Sequence, residues 1–174
     1  MAPDLRDETL WDDTAPKPLV SRPRAEPQTR RQQPAVRSER VETRGRVRAL
    51  QALYAADVRD MTQLRRIAIN VFDDLAVEPG ERAVASKLVG TVVERGVQLD
   101  AALADVTSNW RLERLGVIER CVLRLAAAEL ARGETPVKVV LQEAVHLAER
   151  FGTTRSARFV NGVLDAYARQ HGLL

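Results

Sequence analysis

Residues able to do covalent chemistry are few in this chain and poorly grouped. Its two histidines stand apart, His171 close to the C-terminus and His146 on the polar side of a helical pattern. The one cysteine, Cys121, falls in an apolar stripe, where a small buried side chain is its ordinary role. No set of Cys, His, Asp or Glu has metal-ligand spacing, and neither a Gly-x-Gly-x-x-Gly nor a Walker sequence occurs. Acidic pairs such as Asp73-Asp74 are ordinary on helix surfaces. The sequence thus points away from an enzyme, and it calls for no metal and no cofactor.

Charge is what the chain concentrates. The net charge of +3 hides an uneven distribution. Asp4, Asp7, Glu8, Asp12 and Asp13 make the first stretch acidic. From Lys17 to Arg48 the balance reverses through Arg22, Arg24, Arg30, Arg31, Arg37, Arg40, Arg44 and Arg46, opposed only by Glu26, Glu39 and Glu42. Such a basic block attracts polyanions even when total charge is small. Its end enters a helical pattern, in which Arg44, Arg48, Gln51 and Arg59 share one side while Arg46 points over the end of the core. A one-sided charge stripe is most often a solvated face; the basic segment just upstream raises the nucleic-acid alternative. Phosphate neutralisation supplies much of the affinity for nucleic acid, and exposed aromatics or arginine planes can stack on unpaired bases. Under that alternative Arg44, Arg46 and Arg48 are the candidate phosphate or base contacts, with Tyr54 as a further candidate.

The elements that position these residues read as helices. In 174 residues the apolar share is 45% and the aromatic share 4%, and alternating β-branched runs are nearly absent. An all-α domain over residues 39–174 is expected, preceded by a tail over 1–38 in which closely spaced prolines and sparse apolar residues predict disorder. One cysteine excludes an intrachain disulfide and fits a reducing compartment. No apolar run approaches the roughly 20 residues of a membrane span, and acids come too early for a signal peptide. A cytoplasmic protein is expected.

The first helix should begin between Ser38 and Arg44 and run to about Asp57, with Val47, Leu50, Leu53, Tyr54 and Val58 on its apolar face. A second spans about Thr62 to Leu75, capped by Thr62. Pro79-Gly80 breaks the chain, and a long pattern follows from Glu81 to Trp110, with Gly96 as a possible bend. The central helix lies within Glu113–Arg132 and is apolar around most of its circumference, leaving Glu119, Arg120, Arg124 and Glu129 as its polar residues. Gly133 is placed to end it. Thr135-Pro136 should start the next helix, Gly152 should end it, and Ser156 should cap the last, in which Gly162 reads as a close-packing site.

Several blocks of this sequence, in order, resemble the NusB family of bacterial transcription antitermination factors. They are Ala49 to Tyr54, Asn109 to Leu115, Glu119 to Ala126 with Glu129-Leu130, Pro136 to Val140 with Glu143-Ala144, Leu147 to Gly152, and Ser156 to Asp165. The resemblance covers about residues 42 to 170. It implies an all-helical fold of two small helical subdomains, and binding of the single-stranded boxA element of ribosomal RNA leader transcripts. It also implies NusE, a small-subunit ribosomal protein, as partner, within the RNA polymerase antitermination complex. By the same resemblance Arg158 and Phe159 lie on an RNA-facing last helix, and Glu119, with Glu113, on the NusE-facing surface. The family usually has a dense arginine cluster followed by a glutamate at the first helix; here Glu42 and Thr43 take places often basic, Val47 replaces the glutamate, and Arg155 stands where an acid is common. A similar domain precedes the catalytic half of some ribosomal RNA cytosine methyltransferases, so a stand-alone RNA-targeting or adaptor module is the alternative. Monomer and homodimer both remain open.

Overall fold

The computed structural model describes residues 39–107 and 112–174. The expected tail over 1–38, and Asn109, Trp110 and Arg111 of the family-like blocks, lie outside them. The described residues form α-helices joined by short connections, and no strand occurs among them. The helices are α1 (Val41–Asp57), α2 (Leu64–Asp74), α3 (Pro79–Val106), α4 (Val117–Arg132), α5 (Val137–Phe151) and α6 (Ser156–Gln170).

The apolar spacing explains the packing. α1, α2 and α3 pack on one another, as do α4, α5 and α6, and α4 joins the two groups by also packing on α1 and α3. Cys121, Val122, Leu123, Leu125 and the three alanines Ala126, Ala127 and Ala128 of α4 are buried, as its nearly all-round apolar pattern requires. Leu53, Leu103, Leu147 and Leu164 meet it from the other helices in one continuous core. α1 crosses α3 closely at Gly45, where a Cβ would lie 2.6 Å from Val84 Cβ. Only glycine fits that approach. Tyr54 and Val58 are exposed rather than core, because the turns of α1 beyond Leu53 present that side to solvent.

Several helix ends differ from the sequence reading, each for a local reason. Thr62 does not cap α2: a 3₁₀ turn, Met61–Gln63, precedes it, and the Asp60 side chain accepts from the Thr62 N–H instead. Pro79 opens α3 rather than breaking the chain, since its missing N–H is tolerated in a first turn. α3 runs through Gly96 uninterrupted. Thr135 is drawn away from α5 to donate to Glu129, and Ser156 caps nothing, its hydroxyl being shared between the Thr153 N–H and Glu119. Gly133 ends α4 with φ +68°, as expected. α2 ends in the same left-handed way, but on Ala76 with φ 46°. Ala76 N–H donates to Asp73 and Val77 N–H to Phe72, a Schellman closure that sets Val77 against the core.

Candidate nucleic-acid interface

The arginines of α1 divide into two kinds. Arg46 is buried, its guanidinium held by both oxygens of Glu129 at 2.9 and 2.5 Å, with Glu143 3.7 Å away. Thr43 donates to the other Glu143 oxygen, and Thr135 to Glu129, so α1, α4 and α5 are tied through one polar cluster. Arg46, expected from the sequence to contact nucleic acid, instead sits inside the fold as a brace, its guanidinium enclosed by carboxylates rather than turned to the surface.

Arg44 and Arg48 face outward, their side chains 32% and 28% exposed, but share a partner. Glu81, in the first turn of α3, accepts from Arg44 Nε at 2.6 Å and from Arg48 Nε at 3.1 Å, one on each oxygen. Arg44 Nη1 also donates to the Glu39 carbonyl, and Arg48 Nη1 to Gln51. The hydrogen bond from Arg44, assisted by that from Arg48, holds the Glu81 carboxyl below the usual carboxylate range against the opposing effect of burial. Two guanidiniums on one carboxylate leave one positive charge uncompensated at the surface. Tyr54, three turns along α1 from Arg44, is exposed and joins no polar cluster.

A second basic surface lies where the chain enters α4 and α6. Arg114, Leu115, Gly116, Glu119, Arg155, Ser156 and Phe159 line a cleft of about 230 Å³. Arg114, Arg155 and Arg158 are exposed, and Phe159 is half-buried, packed on the core from one side and lining the cleft with the other. Phe159 is thereby both core and surface. Arg158, Phe159 and Gly162 also line a neighbouring groove with Val106, Thr154 and Val163. Gly162 is not the close-packing site its sequence suggests, since a Cβ there would meet no atom within 4 Å. Glu119 is half-buried and accepts from the Ser156 hydroxyl, joining α4 to α6, while Glu113 is exposed in the turn before α4. Glu119 and Phe159 therefore share one cleft, whereas Glu113 stands outside it.

Arg120 and Arg124 of α4 are largely enclosed. Arg120 binds Asp57 through Nε at 3.0 Å and reaches the Leu115 carbonyl at 2.9 Å; Arg124 bridges Asp57 at 2.8 Å and Asp100 at 2.7 Å. The Arg120 hydrogen bond holds the Asp57 carboxyl below its ordinary range. Cys121 is inert: burial, reinforced by Asp57, pushes its thiol up to about 12. No group of three or more potential metal ligands occurs among the described residues, and none of their helices is long and apolar enough to cross a membrane.

Sequence reasoning missed Glu81 and Asp57. An acid in the first turn of a helix, or in the last turn of another, is common enough to carry no signal. Only the tertiary crossings show that each holds two arginines.

Comparison with known proteins adds to this geometry. Residues 43–169 match the model of the NusB family. The transcription antitermination protein NusB of Anaeromyxobacter dehalogenans is 44% identical over 135 residues, covering 72% of this chain and 89% of the relative. That of Bacillus subtilis is 40% identical over 121 residues, covering 69% and 88%. Among solved structures, T. maritima NusB superposes with a TM-score of 0.69 at 31% identity, covering 74% of this chain and 91% of its own. A chain in the crystal structure of antitermination factors NusB and NusE in complex with dsRNA gives 0.68 at 26% identity, covering 75% and 97%.

Proposed function

The chain belongs to the NusB family, and on that premise we propose that it is a non-catalytic, RNA-binding transcription antitermination factor acting with NusE on boxA-type RNA of ribosomal RNA operons. The observation that carries this reading is the match of nearly the whole helical domain both to curated antitermination proteins and to a chain solved with NusE and RNA. The surface is consistent with it. Arg44 and Arg48 on α1, and Arg158 with Phe159 on α6, supply exposed cations and an aromatic edge, the groups that single-stranded RNA requires. Tyr54 is a further stacking ring. Glu119, with Glu113, supplies acid for a basic ribosomal protein. This role places the protein in the cytoplasm with the transcription machinery.

Titrating the protein with boxA-type RNA and with a scrambled RNA of equal length tests the reading. Tighter binding of the boxA-type RNA is expected; equal affinities would leave only the alternative of a general RNA-targeting or adaptor module.

A further inference from the structure

Arg44 and Arg48 differ from the enclosed arginines of α1 and α4. Arg46, Arg120 and Arg124 are largely enclosed, with side-chain exposures of 6%, 13% and 13%. Arg44 and Arg48 are held by Nε and Nη1 only, and the Nη2 of each has no acceptor among the described residues. Both are anchored on the two oxygens of a single carboxylate whose own side chain is 6% exposed. The two oxygens of one carboxylate are close together, so the guanidiniums they hold are neighbours. Their separation by one helical turn on α1 would otherwise let two long side chains diverge in solvent.

We propose that Glu81 is a positioning residue for RNA, fixing Arg44 and Arg48 as a two-pronged receptor for one backbone phosphodiester. The inference rests on the RNA-binding reading above and deepens it. A phosphodiester presents two charged oxygens, and two adjacent guanidiniums whose Nη2 groups have no acceptor among the described residues match that demand. Arginine side chains lose much rotamer entropy when they bind; Glu81 fixes that freedom during folding instead. The hydrogen bonds from Arg44 and Arg48 shift its carboxyl below the usual range, which favours the ionised form that anchors both arginines. Buried Glu81 takes no place at the RNA itself: it acts through the two arginines.

The alternative roles of an acid beside two cations give opposite signs. A carboxylate that merely masks the arginines would, on removal, strengthen RNA binding, because local positive charge rises. A purely structural brace would leave affinity unchanged in a variant that still folds. Positioning demands that binding weaken although positive charge has increased.

The experiment measures boxA-type RNA affinity against salt for the full chain and for E81Q, R48K and the double variant, with helicity checked by circular dichroism. E81Q is expected to weaken binding about tenfold, the scale of one charge-assisted hydrogen bond, and to lower the log–log salt slope by about 0.7. R48K, which keeps the charge and does not depend on E81Q folding, should weaken binding similarly. The double variant should be no weaker than the worse single one, since both act on one receptor. Unchanged or tighter binding by folded E81Q, or by R48K, overturns the proposal while leaving the RNA-binding reading standing. Failure of the unaltered protein to bind RNA removes both.

Discussion

Arg46 and Glu129 lie 83 residues apart and form a bidentate pair in which neither side chain is more than 8% exposed. The pair locks α1 to the central helix from inside. Breaking a buried pair by removing one partner costs about 3–5 kcal/mol where nothing else compensates the remaining charge, and Glu143, 3.7 Å from Arg46, holds the loss here to the lower end of that range. Glu129→Ala should therefore lower the free energy of unfolding in urea by that amount. Arg46→Lys should also destabilise, because an ammonium cannot reproduce the two parallel hydrogen bonds. If Arg46→Lys unfolds like the parent and loses RNA affinity, Arg46 belongs to the interface after all.

Ala76 occupies a left-handed conformation that glycine adopts freely, within a closure whose hydrogen bonds are otherwise complete. Relief of that strain should outweigh the added freedom of the unfolded chain. Ala76→Gly is expected to stabilise by about 1 kcal/mol, read as an upward shift of the thermal midpoint.

Acid should loosen the molecule at two places. The Asp57 and Glu81 carboxyls titrate below their ordinary values in the folded state, so their contribution is complete above the unfolded carboxylate values of about 4. It is lost as pH falls through the lower folded values, when protonation breaks the pairs with Arg120, Arg124, Arg44 and Arg48. Stability followed from pH 6 to pH 2 should decline mainly at its acid end. Asp57→Asn should flatten that decline, and an unaltered curve would show that acid unfolding starts elsewhere.

Glu119 combines a hydrogen bond from Ser156 with a place in the Arg114–Arg155 cleft. Glu119→Gln can still accept from Ser156 but lacks the charge. It should keep its helicity while weakening NusE binding, and Glu119→Lys should weaken it further. An unchanged dissociation constant for both would confine Glu119 to bridging α4 and α6.

Much of the fold was legible in the sequence because helical periodicity reports directly which side of each helix is buried. α4 shows this best: Cys121, Val122, Leu125 and Ala128 are core, as their spacing required. Polar residues were less legible, since periodicity gives a direction but no partner. Arg46 reads as one more cation in a basic run, and only the α1–α4 crossing shows Glu129 waiting for it. Ser156 and Thr135 carry cap chemistry by type, yet each is claimed by a carboxylate from α4. Gly162 lies inside an apolar pattern, but on the side left open to solvent. The candidate site was legible in part. Arg158 is exposed, Arg44 and Arg48 are partly exposed and Phe159 is half-buried, whereas Glu81 joins Arg44 to Arg48 across a sequence gap that no local pattern spans.

In the function proposed above, this protein and NusE recognise RNA jointly. If each supplies part of one RNA surface, binding of the first prepays positioning for the second, and the coupling is reciprocal. Isothermal titration of boxA-type RNA into the protein alone, and into its complex with NusE, measures that coupling directly. A dissociation constant lower by about fivefold or more with NusE present is the predicted result. Equal dissociation constants with and without NusE would contradict it.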